Sequence, residues 1–406
     1  MSKQQQNQQN QKIIVRNSII RTFIAIGMII GLLSLMFLSG IGPWLQNPNL
    51  KGPYLSWEED PMTTMTISWE TPIYTNASVE YGLNTNYGSK VASSPVSRQM
   101  RFTTLTSLLP NTTYHYRIVS SISNYSQLMK DHTFTTAPNG TQPFSFIGYG
   151  DSRPDIFGNG GHGIICDQIE KVIPEPDFIL HTGDIVFQSN MESQWDRFFY
   201  ELGDLVDHIP FFTGLGNHEF DEFGGDMGWH YFNYFHYPNG EWYYSFNYSN
   251  AHIICLNLSV SDAYIPAAQK NWLINDLTKA NASSDINWII LFFHVPLYSS
   301  GAFGNDPEAI AAFEQIFMNF SVDLVLMGHD HQYERIFVNG IQYIVTGGGG
   351  AELELYIGGD ENVQYSENIH HFCLIEVNGL SLTLKAISSG GAIIDQIIMT
   401  SKHPHT

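Results

Sequence analysis

Between residues 144 and 331, apolar strand-like runs stop five times at a polar residue of a metal-binding kind. The stops are Asp151 in GDSR, Asp184 in GDIV, Asn217 with His218 in GNHE, His294 in FFHVP, and His329 with His331 in GHDH. Helical patterns lie between them, in HGIICDQIEKVI, MESQWDRFFYELGDLV, QKNWLINDLTKA and PEAIAAFEQIFMNF. Strands that alternate with helices predict stacked α/β layers, and the loops at the strands' carboxyl ends are where such layers build sites. A lone Gly-Asp is an ordinary solvated loop, and a lone histidine is ordinary packing or surface. Five such stops in series require a fold that gathers the strand ends at one edge.

In an extended segment, a spacing of two puts His329 and His331 on one side, able to grip one ion or straddle two. Two carboxylates (Asp151, Asp184), the amide oxygen of Asn217 and three imidazoles (His294, His329, His331) can hold two divalent or trivalent ions, one carboxylate bridging them. A pair of ions roughly 3.5 to 4 Å apart clamps the attacking and leaving oxygens of a phosphoryl transfer. The three cysteines, Cys166, Cys255 and Cys373, are widely spaced and form no Cys-x-x-Cys pair. They supply neither a disulfide framework nor a zinc ribbon, and Cys255 and Cys373 read as small buried hydrophobes.

Upstream the period is different. From residue 53 to 138 short alternating strands (MTISWE, ASVEYG, RFTTLTSL, TYHYRIVSS, DHTFTT) are separated by turn clusters, the pattern of a β-sandwich with Trp69 as its core aromatic. Leu108, Pro110, Tyr114 and Tyr116 resemble the corner at which a fibronectin type III domain enters a late strand. Residues 137–143, APNGTQP, read as a linker, and HFCLIEVNGLSLTLKAI with AIIDQIIM as hairpin strands that complete a sheet.

The first twelve residues are rich in Gln and Asn, and Phe23 to Ile41 carry no charge. That length spans about one hydrocarbon thickness as a helix and exceeds a signal-peptide core, so a membrane anchor over 23–43 is expected. Lys3, Lys12, Arg16 and Arg21 precede it with no acid, which predicts a cytoplasmic tail (1–22) and an outward-facing remainder. The net charge is −21, with 39 acidic against 18 basic residues, a balance that repels nucleic acid backbones. An anionic substrate then needs a locally positive site, which bound metal ions can supply.

With GNHE, FFHVPLYSS and GHDHQYER in series, the chain from Pro53 to about Met399 resembles the purple acid phosphatases among the calcineurin-like metallophosphoesterases. The phrases YYSFNYSNAHIICLNLS and QKNWLINDL share the likeness. The resemblance implies a fibronectin III-like domain over 53–138, then a four-layer α/β domain over 144–402 holding two metal ions, Fe, Zn or Mn. It implies that Asp184 bridges, that Asp151 and His331 complete one site, and that Asn217, His294 and His329 complete the other. His218 matches the histidine that contacts phosphate and can protonate the leaving oxygen; its alternative is to orient a ligand carboxylate. Arg153 has no counterpart among those ligands, and a guanidinium there could clamp phosphate in two-pronged fashion.

Two departures stand out. The family's tyrosine ligand, three residues after the bridging aspartate, is Phe187 here, and the histidines that follow the FFHVP-like motif are missing from SGAFGNDPEA. The expected function is hydrolysis of phosphomonoesters of small molecules at the outer membrane face. The alternatives are a phosphodiesterase or nucleotidase of the same fold, or a surface adhesion protein of weak activity. The aromatic stretch GWHYFNYFHYPNGEWYY could roof the site, although such runs are more often core packing.

Overall fold

The computed structural model describes residues 51–71, 76–95, 100–120, 130–155, 160–220, 228–240, 242–259, 266–354 and 361–403. The anchor expected over 23–43 lies outside these residues, and among the described residues no helix is long and apolar enough to cross a membrane.

The amino-terminal strands form two four-stranded sheets. One has the order β1 (Tyr54–Ser56), β2 (Met65–Glu70), β6 (Met100–Leu105), β5 (Ser94–Pro95), and the other β4 (Ser89–Ala92), β3 (Ala77–Gly82), β7 (Thr113–Ser120), β8 (His132–Thr135). Period-two alternation buries Val79, Tyr114, Tyr116 and Ile118 against Ile67 and Trp69. The Tyr114 hydroxyl accepts a hydrogen bond from the Leu109 N–H at 3.0 Å, which fixes the corner read from the sequence.

The larger domain has two sheets face to face. The first runs β11 (Phe211–Thr213), β10 (Phe178–His181), β9 (Phe144–Tyr149), β19 (His371–Asn378), β20 (Ser381–Ser388), β21 (Ile393–Thr400). The second runs β12 (Tyr244–Tyr248), β13 (Ala251–Cys255), β14 (Trp288–Phe293), β15 (Leu324–Met327), β17 (Ile341–Thr346), β16 (Tyr333–Val338), β18 (Val363–Glu367). Strands β9, β10 and β11 are parallel, as are β13, β14, β15 and β17. Strand β14 is buried along its whole length and reads as a continuous apolar run. Ile290 and Phe292 point between the sheets, while Ile289, Leu291 and Phe293 meet Leu273 and Leu277 of α5 (Ala267–Ala282) and Phe313 and Phe317 of α6 (Pro307–Asn319). Helices α1 (His162–Ile169) and α2 (Glu192–Leu202) pack against the outer face of the first sheet through Ile165, Trp195 and Phe198. The layers are therefore α, β, β, α. Helix α6 starts where Asp306 accepts from the N–H groups of Glu308 and Ala309, both at 2.9 Å, with Pro307 in the first turn.

Sandwich and α/β domain share one core. Trp57 is fully buried among the rings of Phe178, Phe212, Phe246 and Tyr248. The aromatic stretch after Gly228 contributes Tyr231, Tyr234, Phe235, Tyr237 and Tyr244 to this core, so packing is its main role. All three cysteines are buried and free.

Two polar clusters close the joint. Lys51, fully buried, reaches Glu70 (3.3 Å), Glu192 (2.5 Å) and Asp196 (2.7 Å). Asp207 accepts from His132 and His208, each at 2.8 Å, and His208 also meets Glu175 at 2.9 Å. Burial lowers the His208 pKa, but its bonds to Asp207 and Glu175 outweigh burial and raise it to about 10. Burial raises Asp207, and its two histidines more than reverse that, to about 2. The His208 contribution is thus complete below pH 6.5 and lost as pH climbs through about 10, whereas that of Asp207 is complete above pH 3.8 and lost as pH falls through about 2. Asp207→Asn is expected to lower the melting temperature most at pH 5 to 6. Thermal denaturation should show the gap to the parent narrowing toward pH 10; a gap independent of pH would mean that the His208–Asp207 charge pair does not stabilise the fold.

Candidate metal centre

Each stop in the sequence lies just past a strand's carboxyl end: Asp151 after β9, Asp184 after β10, Asn217 after β11, His294 after β14, and His329 with His331 after β15. The parallel arrangement carries all of them to the same edge of the two sheets. Single ligand atoms of Asp151, Asp184 and His294 lie within 4.8 Å of one another. His294 Nε2 is 3.0 Å from Asn217 Oδ1, 3.3 Å from Asp184 Oδ1 and 3.2 Å from His329 Nδ1. His331 Nε2 is 3.6 Å from Asp151 Oδ1.

The ring nitrogens are oriented by main-chain carbonyls. His294 Nδ1 donates to Thr182 O (3.2 Å) and His331 Nδ1 to Glu352 O (2.6 Å), so both Nε2 lone pairs point into the cluster. The His294 lone pair then faces a carboxylate oxygen and an amide oxygen, neither of which carries a proton. Asp151, Asp184, His294 and His331 are buried to 3% exposure or less. Such a convergence of acceptors away from water is unfavourable by itself and suits a cation.

Local backbone is bent to achieve this. Asp151 (φ 58°), Asp184 (φ 59°) and His329 (φ 72°) occupy the left-handed region, at a cost of about 1 to 3 kcal/mol each. The loops are cross-linked by Asp151 N–H to Gly183 O (2.9 Å) and Arg153 N–H to Asp184 O (3.1 Å). The His329 N–H donates to both carboxylate oxygens of Asp151, at 3.1 and 3.0 Å. Gly216 and Gly328 are required by close approach. A Cβ at Gly216 would lie 2.1 Å from Asp184 Oδ1, and one at Gly328 would lie 2.5 Å from Asp151 Oδ2 and 3.2 Å from His294 Nδ1.

The remaining candidates join the same cluster. Arg153 Nε lies 3.4 Å and His218 Nε2 3.7 Å from Asp184 Oδ2. The His218 N–H donates to Asp184 Oδ1 (3.1 Å), and its Nδ1 donates to Phe187 O (2.8 Å). The Phe187 ring is flanked by the Arg153 guanidinium at 5.3 Å and the His218 ring at 5.1 Å. Burial pushes the Asp184 carboxyl up, but His294, His218 and Arg153 outweigh it and hold the group well below the usual carboxylate range. Burial, with His294 beside it, pushes His329 down to about 3.

Three contributors were not singled out from the sequence. Glu219, fully buried, accepts from the N–H groups of Gly216 (2.7 Å), Asp184 (2.9 Å) and Ile185 (2.8 Å). The GNHE phrase contains it, and an acid directly after two candidate site residues was its signal. The run Gly347–Gly350 packs on the first aspartate's loop, with Gly349 N–H to Gly150 O and Ala351 N–H to Asp151 O, both 2.8 Å. Four glycines after the apolar strand IQYIVT were the signal there. Asp330, buried between the two histidines, accepts from Phe303 N–H at 3.1 Å.

Residues 150–333 match the calcineurin-like phosphoesterase model, and residues 50–136 match the purple acid phosphatase N-terminal domain. Human acid phosphatase type 7 is 26% identical over 367 residues, covering 74% of this chain and 78% of its own. An uncharacterized Mycobacterium tuberculosis protein is 27% identical over 336 residues, 71% of this chain; the match spans 62% of that relative's length. The purple acid phosphatase from yellow lupin (Lupinus luteus) seeds superimposes with a TM-score of 0.75 at 20% identity, over 86% of this chain and 74% of the lupin chain. The chain is a homologue of the purple acid phosphatases, with their N-terminal domain followed by a calcineurin-like metallophosphoesterase domain.

Gly328→Ala is expected to weaken divalent-metal binding by about tenfold or more while leaving far-ultraviolet circular dichroism unchanged, because the added methyl meets Asp151 and His294 without straining the backbone. Metal titration checks this; unchanged affinity would show that the carboxylate can swing aside.

Proposed function

We propose that this chain is a metal-dependent phosphoesterase that hydrolyses phosphomonoesters of small molecules. The observation that carries the reading is the convergence of His294 Nε2, Asn217 Oδ1, Asp184 Oδ1 and His329 Nδ1 within 3.3 Å of the first of them, with Asp151 and His331 alongside. In this reading Asp151, Asp184 and His331 hold one ion and Asn217, His294 and His329 a second, with Asp184 shared. The donor set of carboxylate, amide and imidazole fits Fe, Zn or Mn. When bound, the ions act as Lewis acids that offset charge on the phosphoryl oxygens.

The chain's own residues supply the rest. Arg153 projects its guanidinium past Asp184 over the Phe187 ring, where its two terminal nitrogens can take two phosphate oxygens. His218 commits Nδ1 to Phe187 O, leaving Nε2 to exchange a proton with the leaving oxygen. Phe187 offers no ligand atom where the family has a tyrosine, so one metal position has one protein ligand fewer. Anchored by the helix expected over 23–43, the enzyme would work at the outer face of the cell membrane.

Two experiments test this reading. Asp184→Ala should abolish metal-dependent turnover of a generic aryl phosphate, on the order of 10³-fold or more, because it removes a ligand from both ions, whereas Arg153→Ala should chiefly raise KM. An unmodified chain showing no turnover with Mn, Zn or Fe would overturn the assignment. For the orientation, an external protease should release the phosphatase domain from intact cells; protection until lysis would refute it.

A further inference from the structure

Phe303 is the large side chain that the loop after β14 leaves in water beside the metal centre. Its ring lies 4.1 Å, centroid to centroid, from the ring of His329 at an angle of 33°, yet the residue is 57% exposed. A solitary exposed phenylalanine would be unremarkable. This one is held by a loop whose polar groups are nearly all spent on fixing it. Phe303 N–H donates to Asp330, the residue between His329 and His331, at 3.1 Å. Ser300 N–H donates to Glu334 at 2.9 Å, and the Ser300 hydroxyl donates to the same carboxylate. Ser299 N–H reaches Asn305 and Gly301 N–H reaches Ser299 Oγ, both at 2.9 Å. Gly301 lies so close that a Cβ there would stand 2.5 Å from the Asp330 carboxyl carbon. The far end is fixed by Asp306 capping α6.

The two sides of the centre therefore differ in chemistry. Beside Asp184 stand Arg153 and His218, suited to phosphate oxygens. Beside His329, the loop from Leu297 to Asn305 carries no basic residue and no histidine, and what it presents is an aromatic face. Aromatic rings pair best with other rings, in offset or tilted geometry.

We propose that Phe303 contacts the substrate and selects phosphate esters whose leaving group is aromatic, the leaving group packing on the exposed Phe303 ring while phosphate is held at the metal centre. This rests on the phosphoesterase reading above.

The test uses two phosphonates that cannot be hydrolysed, phenylphosphonate and methylphosphonate, with binding to the metal-loaded full chain followed by calorimetry. Because no bond is cleaved, leaving-group acidity does not enter. Phenylphosphonate should bind the parent more tightly. Phe303→Ala should weaken phenylphosphonate by about 3- to 10-fold and leave methylphosphonate unchanged, and Phe303→Tyr, which keeps the ring, should retain the preference. Equal weakening of both probes in Phe303→Ala would show that the ring merely supports His329, and equal affinity of the two probes for the parent would show no aromatic selection; either overturns the inference alone. A parent that binds neither probe and hydrolyses no phosphate ester overturns the phosphoesterase reading, and the inference falls with it.

Discussion

The buried carboxylate of Glu219 is the contact on which the site depends. It takes the N–H groups of Asp184, Ile185 and Gly216, tying the loop after β10 to the loop after β11. Three donors on one carboxylate turn polar backbone that would be expensive to bury into a satisfied network. The same grip holds Asp184 at φ 59° and leaves its carboxylate free to face His294 and Arg153. Together with the Arg153 N–H bond to Asp184 O, it over-determines a left-handed turn that costs free energy on its own.

From that point the layers do the remaining work. Parallel strands bring five loops to one edge, while the buried faces of β14 and β15 make their spacing rigid. The amino-terminal sandwich adds to this rigidity, since Trp57 is inserted into the aromatic core behind β10 and β11. The sandwich is therefore part of the platform on which the β10 and β11 loops stand, and a spacer role alone would not require a shared core.

Legibility in the sequence followed how local the cause was. Strands β2 and β3 coincide with their sequence runs, and the four helical patterns became α1, α2, α5 and α6, because apolar period and, at α6, the Asp306 cap act within a few positions. All eight candidate site residues meet, because strand ends in parallel layers converge whatever the details between them. What stayed hidden depends on distant partners. Strands β16 and β17, just past the His-Asp-His tip, are not among the strand runs read from the sequence, yet β17 completes the parallel series beside β15. The role of Glu219 needs two loops brought together, and that of the glycine run needs the loop of Asp151 against it.

At Phe187 the departure from the family acquires a physical reading. A tyrosine there would bring an oxygen to the centre; the phenylalanine instead gives a bare ring with a guanidinium on one side and an imidazole on the other. Arg153 and His218 both direct a nitrogen toward Asp184 Oδ2, the oxygen that His294 leaves free. One anionic ligand atom has thus been exchanged for an apolar shelf that supports two cation-capable groups. The ring's face attracts a guanidinium, and that of Arg153 lies over it at 5.3 Å. This side of the centre therefore presents two nitrogen groups and, at position 187, no oxygen.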